Sequence, residues 1–206
     1  MLLDWPALVA KYNLRIEGVI HCGARLGEER DAYASVGCSN VWWIEGNPYI
    51  IHRLKANVES YGHRVIQALL TNEDHGRRTF NITNNEGMSS SVFEFGTHPT
   101  FSPETVFQRR EELETRTLDS LVEEHRIADI NFLNMDLQGA EKLVLQGATN
   151  LIPQLRYVMT EVNNAEVYVG CAKIEELDEI LHDFDRVETH WVAEQGWGDA
   201  MYLRRR

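Results

Sequence analysis

Two carboxylates stand where apolar runs end: Asp136 closes INFLNM, and Glu161 lies near the end of RYVMTEV. A carboxylate at the carboxyl end of a buried parallel strand opens into the crevice beside the sheet. Two such groups on neighbouring strand ends, with the amide of Asn163 beside them, can deprotonate a hydroxyl or hold a divalent ion through oxygen ligands. Asp136 and Glu161 are therefore expected as base or magnesium ligands, although no spacing demands a metal. The alternative for Asp136 is a cap on the helix that begins near Gly139, and Glu141 suits either the chemistry or that helix's first turn. His98 is the second candidate base. It shares the aperiodic segment 84–103 with Ser89, Ser90 and Ser91, and this segment is expected to form a lid facing the acceptor. A solvent-exposed loop histidine is the plainer alternative.

A second constellation begins at His21-Cys22-Gly23-Ala24-Arg25-Leu26-Gly27-Glu28. A ligand crossing the ends of parallel strands needs a turn without side-chain bulk. Gly23 and Gly27 supply one, as would a plain strand-to-helix turn. Glu45 closes the next apolar run, about 20 residues further on, the spacing at which an acid accepts ribose hydroxyls. Turn and acid together favour a nucleoside ligand over a merely solvated strand end.

These residues need a framework that brings strand ends together. Apolar runs at 18–24, 40–46, 64–70, 130–136 and 156–162 read as strands. Each is too uniformly apolar for a one-faced sheet, as expected when helices cover both sides. Helical patterns fall at 27–36, 48–60 (with Pro48 at its start), 117–125, 139–148 and 173–184, and 77–83 alternates like an edge strand. The chain ends differently, in two strands, 185–193 and 199–205, joined by a glycine-containing turn and hence antiparallel. The architecture predicted is an α/β doubly wound sheet, mostly parallel, with an antiparallel C-terminal hairpin. A Rossmann dinucleotide fold would end on another parallel strand.

The 206 residues are 43% hydrophobic. That length suits one domain over 1–206, with 1–15 as an N-terminal helical extension. The balance of 20 basic against 32 acidic residues, a net charge of −12, argues against a phosphate-backbone binder. Arg204, Arg205 and Arg206 are too few for a nucleic-acid arm and suit a solvated end. Cys22, Cys38 and Cys171 show no CxxC spacing and are expected as reduced thiols. The first residues lack a signal peptide's basic start, and no run reaches the roughly 20 apolar residues of a membrane span. A cytoplasmic location without membrane contact is expected, and an assembly of identical chains is left open.

The stretches VIHCGARLGEE, VWWIEGNP, SSSVFEFGTHP, RTLDSL, FLNMDLQGAEKLVLQGA, TEVNNAEVY and WGDAMYLR resemble the FkbM-type methyltransferases, in family order from about residue 18 to 204. The run from Asp136 to Glu141 is their most specific part. The resemblance implies a class I methyltransferase fold, S-adenosylmethionine as cofactor, and O-methylation of a sugar, glycan or small natural product. It implies that Gly23, Ala24, Arg25 and Gly27 line the methionine end, that Glu45 takes the ribose, and that Leu70 and Thr71 lie by the adenine. His21, Glu28, Gly46, Asp136 and Gln138 complete the cofactor side, and Ser89, Ser90, Ser91, His98 and Asn163 face the acceptor. His21 stands where many members carry Asp, and Asn134 where many carry Lys. Trp191 and Trp197 suit either stacking on a sugar or packing at the sheet edge. Two rival functions remain: a non-catalytic cofactor- or partner-binding module on this fold, and a nicotinamide-dependent oxidoreductase, which the missing GxGxxG and the terminal hairpin disfavour.

Overall fold

The computed structural model describes residues 2–206. In chain order its strands are β1 (Val19–Cys22), β2 (Val41–Glu45), β3 (Arg64–Gln67), β4 (Leu69–Leu70), β5 (Arg77–Thr83), β6 (Phe107–Arg116), β7 (Phe132–Met135), β8 (Tyr157–Asn163), β9 (Phe184–Trp191) and β10 (Trp197–Arg204). The helices are α1 (Trp5–Tyr12), α2 (Arg30–Ser35), α3 (Ile51–Val58), α4 (Leu118–Glu124), α5 (Glu141–Gln146) and α6 (Ile174–Ile180).

Seven strands form one sheet in the order β3-β2-β1-β7-β8-β10-β9. The first five run parallel, and β10 is antiparallel to both of its neighbours. Both faces are buried, which is why these strands read as continuous apolar runs. Ile20, Ile44, Leu133 and Met135 point to the face that packs on Leu118, Leu121, Val144, Leu145, Ile174 and Leu177 of α4, α5 and α6. Val19, Val41, Trp43 and Phe132 point the other way, onto Trp5, Leu8, Tyr33, Leu54 and Val58 of α1, α2 and α3. Full burial of side chains this large stabilises by about 1.5–3 kcal/mol each. The extension is fastened by α1, whose N-cap Asp4 accepts the Ala7 N–H at 3.0 Å. Trp5 then lies with its ring centroid 4.2 Å from that of Phe132.

Four features differ from the sequence expectation. The run 64–70 is two strands, because the chain leaves the main sheet after Ala68, whose N–H still reaches the Glu45 carbonyl. Leu69 and Leu70 then pair with β6 in a small sheet ordered β4-β6-β5. A side chain at Gly46 would meet Leu69 at 3.1 Å, so its absence lets the crossing pass close by. The ten-residue β6 (FQRREELETR) is unanticipated; its charged, largely exposed sequence carries no apolar alternation, and pairing with β5 makes it a strand. The last strand does not extend the edge: β10 inserts between β8 and β9, leaving β9 outermost. Pro48 lies in the turn before α3 rather than at its start, since Asn47 folds back there, its side chain accepting the Tyr49 N–H. All three cysteines are free and buried. Among the described residues no helix is long and apolar enough to cross a membrane.

Candidate active site

The register levels three strand ends. Cys22 lies opposite both Ile44 and Met135, so Gly23, Glu45 and Asp136 emerge at one edge, and Glu161 follows Thr160, the partner of Met135. Here, where the chain leaves β1 for β2 on one side and β7 on the other, a cleft of about 370 Å³ opens. That is large enough for a small organic ligand, whose sites span roughly 300–1,000 Å³.

On the β1–β2 side, the Gly23 and Ala24 amides donate to the Ile44 carbonyl. Arg25 N–H donates to Glu45 Oε2 and Asn47 N–H to Oε1, both at 2.7 Å. Glu45 is buried, and desolvation raises its pKa against these backbone donors. The Gly46 N–H is a third backbone donor to it, and a carboxylate has about four acceptor sites, so some acceptor capacity remains. The Arg25 guanidinium meets Glu28 and Glu86, while its Nε is buried without a partner among the described residues. Arg25 (φ 43°) and Gln138 (φ 54°) are non-glycine residues held in the left-handed region, and both line the cleft. Such backbone costs of order 1–3 kcal/mol and concentrates at functional sites.

On the β7–β8 side, Gln138 ties the carboxylates together. Its Nε2 donates to Asp136 Oδ1 at 2.6 Å and Glu161 Oε2 at 2.8 Å, while its Oε1 accepts the Tyr168 hydroxyl at 2.6 Å. Burial first, then the charge of Asp136, pushes the pKa of Glu161 well up, which favours its protonated form and a proton held between it and Asp136. The carboxamide N–H₂ occupies the space between the two carboxylates where a cation would sit. Among the described residues no group of three or more His, Cys, Asp or Glu side chains is disposed to hold a metal. Asp136 does not cap α5 either. The amides of Leu137 and Gly139 turn to Glu141 Oε1 at 2.8 and 3.3 Å, and Asp136 is left facing the cleft.

Desolvation, helped by the Asp136 charge, moves Glu141 from 4.5 up to about 7, and Asp199, opposite Glu161 on β10, to about 6. A carboxyl whose folded pKa is raised contributes stability below its unfolded pKa and loses it as pH rises through the folded value. Glu141→Gln keeps the acceptor oxygen and removes the titration. Between about pH 5 and pH 8 this variant should gain about 2 kcal/mol on the wild type in urea unfolding; parallel pH profiles would show that Glu141 is ionised throughout.

Segment 84–103 forms the wall opposite the strand ends. Phe93, Phe95 and Phe101 pack on Val167, Tyr168 and Cys171, and Phe95 bridges to Tyr168. His98 is buried rather than exposed and lines the cleft. Ser89 and Ser90 also line it, but their hydroxyls are engaged inside the segment, with His98 and Asn85 and with the Thr83 N–H. Ser91 lies outside it and donates to the Gln138 carbonyl at 2.8 Å.

Of the other expected positions, Gly23, Ala24, Glu28, Gly46 and Leu70 line the cleft. So does His21, whose pKa burial lowers; it stacks on Trp43, and its Nδ1 lies 2.9 Å from the Tyr33 hydroxyl. Three positions do not reach it. A side chain on Gly27 would meet Val58 and Leu54 of α3, Thr71 donates to the Glu73 carbonyl, and Asn163 is buried with its Oδ1 unpartnered. Trp197 lines the cleft, while Trp191 packs on the core. Tyr168, Glu29 and Asp199 were not expected. A lone acid inside the apolar run of β10 was the available signal for Asp199, which pins the Leu2 and Leu3 amides beside the cleft.

Residues 21–188 match the Methyltransferase FkbM domain. The chain belongs to the FkbM methyltransferase family. This FkbM-family protein is 24% identical over 155 residues to the 2-O-methyltransferase NoeI of Sinorhizobium fredii (strain NBRC 101917 / NGR234), a match covering 72% of the chain and 64% of that protein. Its fold is that of the S-adenosylmethionine-binding methyltransferases. It overlays the magnesium protoporphyrin IX methyltransferase ChlM of Synechocystis PCC 6803 with bound S-adenosylmethionine at a TM-score of 0.54, with 10% identity over 98% of this chain and 76% of that one. It overlays TrmK of M. capricolum, in complex with S-adenosylhomocysteine, at 0.53, with 11% identity over 99% and 69%.

The residues present fit that cofactor. Glu45 keeps acceptor capacity for a ribose hydroxyl, the orphaned Arg25 Nε suits a carboxylate, and Ile44, Leu69 and Leu70 give an apolar slot for a base. Asp136 and Glu29 make the surroundings favourable for a cation. Glu45→Gln would turn an amide donor toward one of the backbone N–H groups that now share the carboxylate. S-adenosylhomocysteine affinity should fall about 30-fold by calorimetry; unchanged affinity would move the ribose contact elsewhere.

Proposed function

We propose that this chain is an S-adenosylmethionine-dependent O-methyltransferase acting on a hydroxyl of a sugar, glycan or small natural product. The observation that carries this reading is the single cleft in which Glu45 and the bare turn at Gly23 face Asp136 and Gln138. The likeness to NoeI, a 2-O-methyltransferase, favours oxygen as the methylated atom. When bound, S-adenosylmethionine supplies an electrophilic methyl group on a cationic sulfur.

The protein's own work is to hold the two reactants at attack distance and to take the acceptor's proton. Positioning alone is worth several kcal/mol of barrier. The strand ends of β1 and β2 hold the nucleoside side, and the 84–103 wall excludes water from the acceptor side. Asp136 is the carboxylate in place to receive the hydroxyl proton. Gln138 fixes its rotamer, and Tyr168 fixes Gln138 in turn. Glu161, buried beside it, shares the Gln138 amide with the base.

Acidic lining disfavours phosphorylated acceptors and nucleic acid. Arg204, moreover, is tied to the Leu155 and Ile152 carbonyls and Arg205 to Asp185, so neither is a free arm. Incubation with methyl-labelled S-adenosylmethionine and a panel of methyl glycosides and glycan extracts, followed by mass spectrometry, tests the reading. A labelled ether on a sugar is expected. Stabilisation by NAD but not by S-adenosylhomocysteine would overturn it, and S-adenosylhomocysteine binding without transfer to any hydroxyl compound would favour a binding module.

A further inference from the structure

His98 is only 5% exposed, so its ring nitrogens must find partners inside the protein or on a ligand. Its Nε2 lies 3.1 Å from Ser89 Oγ. Its Nδ1 is buried and has no partner among the described residues.

The neighbours narrow what Ser89 Oγ can do in the first pair. Asn85 is oriented by its Oδ1, which accepts the Thr83 hydroxyl at 2.6 Å and the Ser89 N–H at 3.4 Å. Its amide nitrogen therefore donates to Ser89 Oγ at 3.0 Å. A serine hydroxyl has one proton and two lone pairs. With one lone pair filled by Asn85, Ser89 keeps its proton and one lone pair, so it can donate to His98 Nε2 or accept from it. Where the serine donates, Nε2 is the bare nitrogen and the ring proton sits on Nδ1. Burial lowers the proton affinity of the ring against the pull of Glu104. Stacking on Phe95, 4.3 Å away and 9° from parallel, holds its plane.

We propose that Ser89 holds His98 as the neutral Nδ1–H tautomer, so that His98 donates a hydrogen bond to an oxygen of the methyl acceptor instead of taking its proton. The role in acceptor binding rests on the O-methyltransferase reading; the tautomer does not. A donor there suits a neutral, oxygen-rich acceptor, whose ether or neighbouring hydroxyl oxygen receives the bond while Asp136 receives the proton of the reacting hydroxyl.

Long-range proton–nitrogen NMR on the full chain labelled with ¹⁵N-histidine reads the tautomer directly, with His98→Gln assigning the signal among the eight histidines. The expected result is a protonated Nδ1 and a bare Nε2 that do not titrate around neutral pH, with Ser89→Ala shifting the proton toward Nε2. A bare Nδ1 in the wild type, or a ring that ionises near neutrality, overturns the proposal. With methyl glycosides as acceptors, His98→Asn, which places an N–H where Nδ1 stands, should leave the acceptor KM within about threefold. His98→Gln, which keeps only the group facing Ser89, should raise KM about tenfold while the pH profile of kcat is unchanged. Equal collapse of kcat in both variants, with loss of its acidic limb, would make His98 the base. If no glycoside accepts a methyl group while S-adenosylhomocysteine still binds, the sugar reading fails, and the tautomer measurement alone decides His98.

Discussion

Asp136→Asn is expected to lower kcat for methyl transfer by about 10²–10⁴-fold, the usual worth of a positioned general base. S-adenosylhomocysteine affinity should stay within a few-fold. The separation is clean because asparagine preserves what Asp136 does for the fold. Its carboxamide oxygen can still accept from Gln138 Nε2, and the β7 end stays tied by the Asp136 N–H to the Cys22 carbonyl. Only the proton-accepting oxygen facing the cleft is lost. Removing a charge beside the buried Glu141 also relieves repulsion, so the melting temperature should hold or rise. Single-turnover rates with labelled cofactor and calorimetry with S-adenosylhomocysteine separate the effects. Rates within a few-fold of wild type would place the base elsewhere, and a drop in melting temperature would give Asp136 a structural role that its contacts do not show.

The strands that position Asp136 were legible because burial on both faces writes itself as continuous apolar sequence: GVIHC, VWWIE, FLNM and RYVMTEV all fold as parallel strands. The antiparallel ending was legible from the glycine turn at 194–198, but the place of β10 inside the sheet was not, since periodicity fixes a strand's faces and not its neighbours. The same limit hid the break after Ala68, where an unbroken apolar run serves two sheets. It hid β6 too, whose side chains mostly meet water. At the site, Glu45 and Asp136 could be found because each ends a buried strand. The partition of roles could not, because it depends on hydrogen bonds made across the fold. Glu141 rather than Asp136 caps the turn before α5, and the serines of 84–103 are taken up by Asn85, His98, Thr83 and Gln138. His98 illustrates the gap: sequence offered it as an acceptor-side base, while its pairing with Ser89 and its unpartnered Nδ1 appear only in the fold.

Gly23→Ala should destabilise the protein by about 3 kcal/mol or more and abolish its stabilisation by S-adenosylhomocysteine. Gly23 has φ 78°, where an L-residue pays about 1–2 kcal/mol. An added Cβ would also lie 1.8 Å from the Asp136 carbonyl oxygen and 2.7 Å from its carbon. Both are backbone atoms, so relief requires β1 and β7 to part at the very ends that carry the bare turn and Asp136, and overpacking of this kind adds about 1–3 kcal/mol. For a chain of this length the loss corresponds to roughly 10 °C in melting temperature. Gly62→Ala is the control, for Gly62 has φ 71° with nothing within 4 Å of its would-be Cβ. It should lose only the conformational part, about 1 kcal/mol. The difference between the two variants in urea unfolding measures the close approach itself. Equal losses would mean that β1 and β7 are not pressed together at the cleft, and the cofactor-side geometry drawn from that contact would have to be abandoned.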